Sequence, residues 1–262
     1  MTPSHIVKYL DQHVIGQDEA KRQLAVAVYT HYKKIELAGS ARNEIVKSNV
    51  LLVGPTGTGK TLMCETLSRV LEVPFVTANA TSLAQSEYVN DEIEAILERL
   101  IDRAEGDIGR AQRGIVFIDE IDKLKVTDGQ TGRTRGTSGE GVQHALLKIM
   151  EGAPVKIKDS RYIDTTQILF ICGGAFVGLD DILAKTRSFG FISTSEADNQ
   201  QLLDRLNSRV KPTDLFEFGL IPEFAGRLPI VASLKALTRE MLVRVMTEPA
   251  NSIYGQYRQI LQ

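Results

Sequence analysis

Residues 49–61 read Asn-Val-Leu-Leu-Val-Gly-Pro-Thr-Gly-Thr-Gly-Lys-Thr. The first five are an apolar run with the composition of a strand covered on both faces. The next eight, Gly54, Pro55, Thr56, Gly57, Thr58, Gly59, Lys60 and Thr61, fit G-x-x-x-x-G-K-[ST] at every defined position, and a helical run, LMCETLSRVL, follows. Strand, glycine-rich turn and helix in that order are the setting of a phosphate loop. The glycines let the backbone wrap close to phosphate oxygens with successive N–H groups turned inward, and the helix presents its positive end to the same anion. Lys60 adds a point charge for the β- and γ-phosphates, and the Thr61 hydroxyl is placed to ligate Mg²⁺. The alternative, a glycine-rich turn with an accidental Gly-Lys-Thr, does not account for the flanking strand and helix.

Working outward, short runs rich in Val, Ile and Phe recur at 75–79 (FVTAN), 115–119 (IVFID) and 168–172 (ILFIC), with a fifth short strand expected at 229–232. Between them lie helical periodicities: Ile93, Ile96, Leu97, Leu100, Ile101 and Ala104, then Val142, Ala145, Leu146, Ile149 and Met150. Strands alternating with helices predict an α/β fold, a helix-covered parallel sheet of the P-loop NTPase kind with three αβα layers. The run at 115–119 ends in Asp119-Glu120, which delivers two carboxylates to the carboxyl edge of such a sheet, where open α/β folds hold ligands. Asp119 would hold Mg²⁺ and Glu120 would polarise the attacking water. A solvated strand end is the alternative for these acids taken alone. The strand at 75–79 falls between the two motifs, as in the P-loop class with an added strand and a catalytic glutamate, so ATP hydrolysis is expected as well as ATP binding.

The composition fits this reading. Of 262 residues, 43% are hydrophobic and 24% charged, with a formal net charge of −2, which argues against binding nucleic acid by bulk positive charge. No apolar run approaches the ~20 residues needed to cross a bilayer, and the first residues lack the layout of a signal peptide. Cys64 and Cys172 are the only cysteines, too few for a disulfide framework or a cysteine-based zinc site, and His5, His13, His31 and His144 stand at no metal-ligand spacing. A soluble, cytoplasmic protein is expected. Residues 125–140 (KVTDGQTGRTRGTSGE) read as a mobile loop. Residues 184–200 read similarly but carry an apolar island, Phe189-Gly190-Phe191. Residues 1–233 are expected to form one large domain, and 234–262 the opening of a second, helical domain that the chain does not complete.

Six segments carry a more specific likeness: HVIGQDEAK at 13–21, the loop at 54–61, GIVFIDEIDK at 114–123, SGEGVQHALLKIMEG at 138–152, ILFICGGAF at 168–176 and FGLIPEFAGRLP at 218–229. Their order and spacing resemble the ClpX-type AAA+ ATPases of the Clp/HslU unfoldase family, which feed proteins to the ClpP peptidase. The resemblance runs from about Thr2 to the end of the chain. It implies that Val14 and Ile15 pack on adenine, although a hydrophobic staple before the next helix suits them equally. It implies that Arg227 is an arginine finger reaching the nucleotide of a neighbouring subunit, which requires a ring, a homo-hexamer; a structural ion pair is the alternative. Tyr88 and Val89 match the aromatic-aliphatic pair that grips substrate in the central channel, with Glu87 and Asn90 where the family has glycines; Tyr88 packing at a helix end is the alternative. Residues 125–140, with Arg133, Arg135 and Gly139-Glu140, resemble a second channel loop or a solvated linker. Phe189-Gly190-Phe191 resembles the tripeptide that docks on ClpP, and otherwise a core-anchored loop tip.

There are departures. The family's four-cysteine zinc domain and its Arg-Lys-His entrance motif are missing, the latter from the shorter stretch at 153–164. Cys172-Gly173-Gly174 stands where many AAA+ proteins place a polar sensor, and the sensor-two arginine falls mostly beyond Gln262. The expected function is that of an ATP-dependent protein unfoldase, the specificity subunit of a Clp-type protease acting on polypeptides, with ATP and Mg²⁺ as cofactors and without membrane or nucleic-acid partners. An AAA+ nucleic-acid motor and a degenerate ATP-binding regulator are the alternatives. Balanced charge and the aromatic channel pair favour the first.

Overall fold

The computed structural model describes residues 1–38, 47–126, 137–187, 210–249 and 252. Among these residues seven strands are present: β1 Val50–Val53, β2 Phe75–Asn79, β3 Ile115–Asp119, β4 Pro154–Lys156, β5 Tyr162–Asp164, β6 Leu169–Gly174 and β7 Ile230–Ser233. Eleven helices accompany them among the described residues: α1 Pro3–Asp11, α2 Asp18–Ala38, α3 Lys60–Leu71, α4 Ala80–Gln85, α5 Val89–Arg103, α6 Ile108–Ala111, α7 Gly139–Glu151, α8 Leu179–Arg187, α9 Pro212–Phe218, α10 Pro222–Gly226 and α11 Arg239–Thr247.

Five strands form one sheet in the order β2-β3-β6-β1-β7, with every pairing parallel. Val50 is in register with Ile171 on one side and Ile230 on the other, so β1 is held by neighbours along its whole length. The apolar runs fill the interior strands as their composition requires: every residue of β1 and β6 is buried, whereas β2, at the edge, is only partly so. Alternate side chains of each strand enter opposite layers. Val50, Leu52, Ile115, Phe117, Leu169 and Ile171 pack with α1, α2 and α3 on one side. Leu51, Val53, Val116, Ile118, Phe170 and Cys172 pack with α5 and α7 on the other. All the periodic residues of α5 and α7 lie in that second layer, which completes the three-layer fold.

Some expectations need correction. The fourth strand starts at Leu169 and runs on to Gly174, and the fifth is shifted by one residue to Ile230–Ser233. Gly139 and Glu140, read as loop, are the first residues of α7, because the Ser138 hydroxyl accepts the Gly141 N–H at 3.1 Å and caps the helix. The stretch at 153–164 contains an antiparallel hairpin, β4 with β5, too short and too polar to signal itself. Residues 127–136 and 188–209, which include Arg133, Arg135 and Phe189-Gly190-Phe191, lie outside the described residues.

One buried histidine ties a layer together. His31 on α2 is 2% exposed, and its Nε2–H donates to the Gln167 carbonyl at 2.9 Å. Burial lowers its pKa to about 4, with the Gln167 bond opposing and Lys47 and Lys34 adding to the shift. The folded protein therefore holds the ring neutral, while the unfolded chain takes up the proton near pH ~6.5. The stability this represents is complete above that pH and is lost as pH falls through the folded value. Urea unfolding should show a loss of about 2–3 kcal/mol between pH 7 and pH 4.5 that His31→Gln, which keeps a donor but no titratable group, largely removes.

Candidate functional site

Strand β1 delivers Gly54 to the carboxyl edge of the sheet, and the chain turns over that edge into α3. Gly57 and Gly59 have φ of 80° and 95°, a left-handed turn that side chains resist. Gly54 is required by contact: a Cβ there would lie 2.6 Å from the Leu234 carbonyl oxygen. Lys60 folds back over the turn, its Nζ donating to Gly54 O at 2.7 Å and Pro55 O at 3.0 Å, while the Thr58 hydroxyl donates to Pro55 O at 2.8 Å. Burial lowers the Lys60 pKa, and the carboxylates of Asp119 and Asp122 oppose that shift. The amine is thus a desolvated cation on loan to two carbonyls.

Two cavities flank this turn. One, about 280 Å³, is walled by Val14, Ile15, Gly59, Leu62, Leu237 and Met246. It is apolar and opens directly on the glycine turn, which suits a planar base attached to phosphates. Val14 also packs into the α1–α2 layer, so its core role and its cavity role coexist. Lys21 Nζ fixes this segment by donating to Val14 O at 2.6 Å and Asp11 Oδ1 at 2.7 Å. The Gln17 amide exchanges two 2.8 Å hydrogen bonds with the backbone of Lys235, tying the segment beside Val14 and Ile15 to the one that leads to Leu237.

The second cavity, about 420 Å³, has Thr61 and Asp119 on its wall together with Asn79, Ser82 and Arg99. Thr61 and Asp119 supply one hydroxyl and one carboxylate. No cluster of three or more metal-binding side chains occurs among the described residues, so phosphate oxygens and water would have to complete a Mg²⁺ shell, as that ion prefers. Asp119 Oδ1 accepts the Glu120 N–H at 2.8 Å. Glu120 adopts φ 60° and ψ 32°, a left-handed conformation costing about 1–2 kcal/mol for a side-chain-bearing residue. There its Oε2 accepts the Thr81 hydroxyl at 2.8 Å. That hydrogen bond, then one from Asn79, holds the carboxyl below the ordinary glutamate range, so it is ionised and able to take a proton.

Asn79 and Thr81 were not singled out by sequence reasoning. The available signal was Asn79 itself, a helix-capping residue at a strand end whose Oδ1 accepts the Thr81 and Ser82 N–H groups. At the end of β6, burial pushes the Cys172 thiol up to about 12, leaving it inert. A Cβ on Gly174 would lie 2.5 Å from Asp122 Oδ1, so no side chain from that residue can serve as a polar sensor.

The remaining candidates lie elsewhere. Arg227 follows α10 as its C-cap, and its carbonyl accepts from Asn49, the residue before β1, at 3.2 Å. It therefore stands at the amino edge of the sheet, separated from Gly54 by the length of β1, roughly 13 Å. Its guanidinium pairs with Glu151 at 2.6 Å. The sequence pair Tyr88-Val89 is divided: Val89 starts α5 and packs on the core, while Tyr88 is 69% exposed. The exposed ring argues against the helix-packing alternative. Beside it, Ser86 O accepts both the N–H and the hydroxyl of Thr137, at 3.1 and 3.0 Å.

Comparison with known proteins agrees with this geometry. A family model described as "AAA domain (Cdc48 subfamily)" matches residues 46–231. Over 272 aligned residues the chain is 48% identical to a Treponema denticola protein named "ATP-dependent Clp protease ATP-binding subunit ClpX", an alignment covering 98% of this chain and 65% of that protein. The chain thus spans slightly less than two thirds of the length of the curated relative it matches.

Gly54→Ala tests the turn. The added methyl must push the Leu234 backbone away, so thermal unfolding should report a loss of about 1–3 kcal/mol, and binding of a fluorescent ATP analogue should weaken in the same variant.

Proposed function

The chain belongs to the AAA domain family, and on that premise we propose that it is the motor of a ClpX-like unfoldase, the specificity subunit of a Clp-type protease, which hydrolyses ATP to draw polypeptide through a homo-hexameric ring. The observation that carries the reading is the division of the machinery between the two edges of the sheet. Lys60, Thr61, Asp119 and Glu120 share the carboxyl edge, while Arg227 stands at the amino edge of the same subunit. Head-to-tail packing of copies would bring one edge against the other, and a heterologous contact of this kind forms a ring when its rotation closes.

Bound Mg²⁺–ATP supplies the phosphoryl group and the neutralising cation. Lys60 exchanges the Gly54 and Pro55 carbonyls for phosphate oxygens, with little rearrangement because its stem is already buried. Thr61 and Asp119 would hold the ion. Glu120, ionised and anchored by the Thr81 hydroxyl, would take a proton from water. The Val14–Ile15 cavity selects the base by apolar contact. Tyr88 offers substrate an exposed ring two residues from Ser86, where the α4 and α7 termini meet. Residues 234–262 we assign to a second, helical domain; the exposed Leu242, Val243 and Met246 of α11 suit a helix that packs against further chain.

No helix among the described residues is long and apolar enough to cross a membrane, and we place the protein in the cytoplasm. The peptidase partner is taken to be ClpP, with Phe189-Gly190-Phe191 as its docking tripeptide. In the full-length protein, unfolded polypeptide should stimulate ATP hydrolysis and DNA should not; the reverse would assign a nucleic-acid motor. Glu120→Gln should bind ATP normally while turnover falls by about 10²–10⁴-fold. Tyr88→Ala should lose unfolding of a stable fluorescent protein, and unchanged unfolding would remove Tyr88 from the channel.

A further inference from the structure

We propose that Glu151 is the resting partner of Arg227: it keeps the guanidinium within its own subunit until a neighbour's nucleotide competes for it, and Asn49 seats both residues for that exchange. The inference rests on the reading of Arg227 as a residue that acts on the next subunit.

The pair is built with a rigid base and free tips. Asn49 is 1% exposed, and its Nδ2 donates to Met150 O and to Arg227 O, both at 3.2 Å. One buried amide thus joins the backbone just before Glu151 to that of Arg227. The last turn of α7 is fixed further: Ile149 O accepts from Lys47 Nζ at 3.2 Å and from the Thr165 hydroxyl at 2.8 Å. On the other side, the Arg227 N–H donates to Phe224 O at 3.0 Å, and the flanking Leu228 is fully buried. Both backbones are thus held by hydrogen bonds to buried groups. The side chains are different, with Arg227 51% and Glu151 42% exposed.

The guanidinium converges on a single oxygen: Nη2 lies 2.6 Å and Nε 3.0 Å from Glu151 Oε1. Glu151 also closes α7, whose carbonyl end attracts a cation. A pair this open to water shifts an equilibrium by only about two- to five-fold. It is strong enough to hold Arg227 in the lone subunit and too weak to resist the several charged oxygens of a magnesium triphosphate enclosed at an interface. Glu151 therefore acts through Arg227 as a positioning residue, and its competition raises the nucleotide concentration at which the ring saturates.

The test uses the full-length protein and a fluorescent ATP analogue. Glu151→Gln and Glu151→Ala should both saturate at about two- to five-fold lower nucleotide than the unmodified protein. In an Arg227→Ala background the same two changes should shift nothing, which a merely structural role for Glu151 would not produce. Saturation at unchanged or higher nucleotide, with hydrolysis lost in Arg227→Ala, overturns the resting-partner role and leaves the trans reading standing. Undiminished hydrolysis in Arg227→Ala overturns the trans reading itself.

Discussion

The common direction of five strands is the constraint on which the rest of this molecule depends. In a parallel sheet all carboxyl ends lie on one edge and all amino ends on the other. The turn after β1, the acids at the end of β3 and the glycines that end β6 therefore converge, although they come from residues 54–61, 119–120 and 173–174. The same geometry sends Asn49, and with it Arg227, to the opposite edge. Burial on both faces makes the arrangement stiff: shifting β1 by one residue would exchange Val50 and Leu52 with Leu51 and Val53 between two closed apolar layers.

Within that frame the carboxyl edge is organised by hydrogen bonds that favour particular charge forms. Glu120 is ionised because the Thr81 hydroxyl and then Asn79 donate to it, and its left-handed backbone is offset by those bonds. Hydrogen bonds to charged groups contribute about 1.5–3 kcal/mol each, against about 1–2 kcal/mol for the conformation. Lys60 is the counterpart, a buried amine held by two backbone carbonyls that a stronger anion can replace. Each group is tied by side-chain or loop neighbours and not by the strand backbones of the sheet.

The base-sized cavity follows a different logic. Its walls come from residues 14–15, from the glycine turn and from 237–246, and the Gln17 amide ties the two outer segments together through the Lys235 backbone. Tyr88 occupies a similar crossing, since Ser86 beside it ends α4, which begins next to Thr81, and is bonded to Thr137 at the mouth of α7.

Most of the frame was legible in the residues themselves. Strands buried on both faces announce themselves as unbroken apolar runs, α5 and α7 as 3.6-residue periodicities, and the phosphate loop as a spacing that local backbone geometry dictates. Glu120 was legible because it follows an apolar strand directly; Thr81, 39 residues earlier, was not. Nor could sequence alone pair Arg227 with Glu151 across 76 residues, join Gln17 to Lys235 across 218, or separate Tyr88 from Val89 by exposure. Local patterns encode which elements form and what chemistry they carry, because those depend on neighbours along the chain. Partners across the sheet depend on strand order and register, which only the packed structure settles, since the free energy that selects them comes from burying all five strands at once.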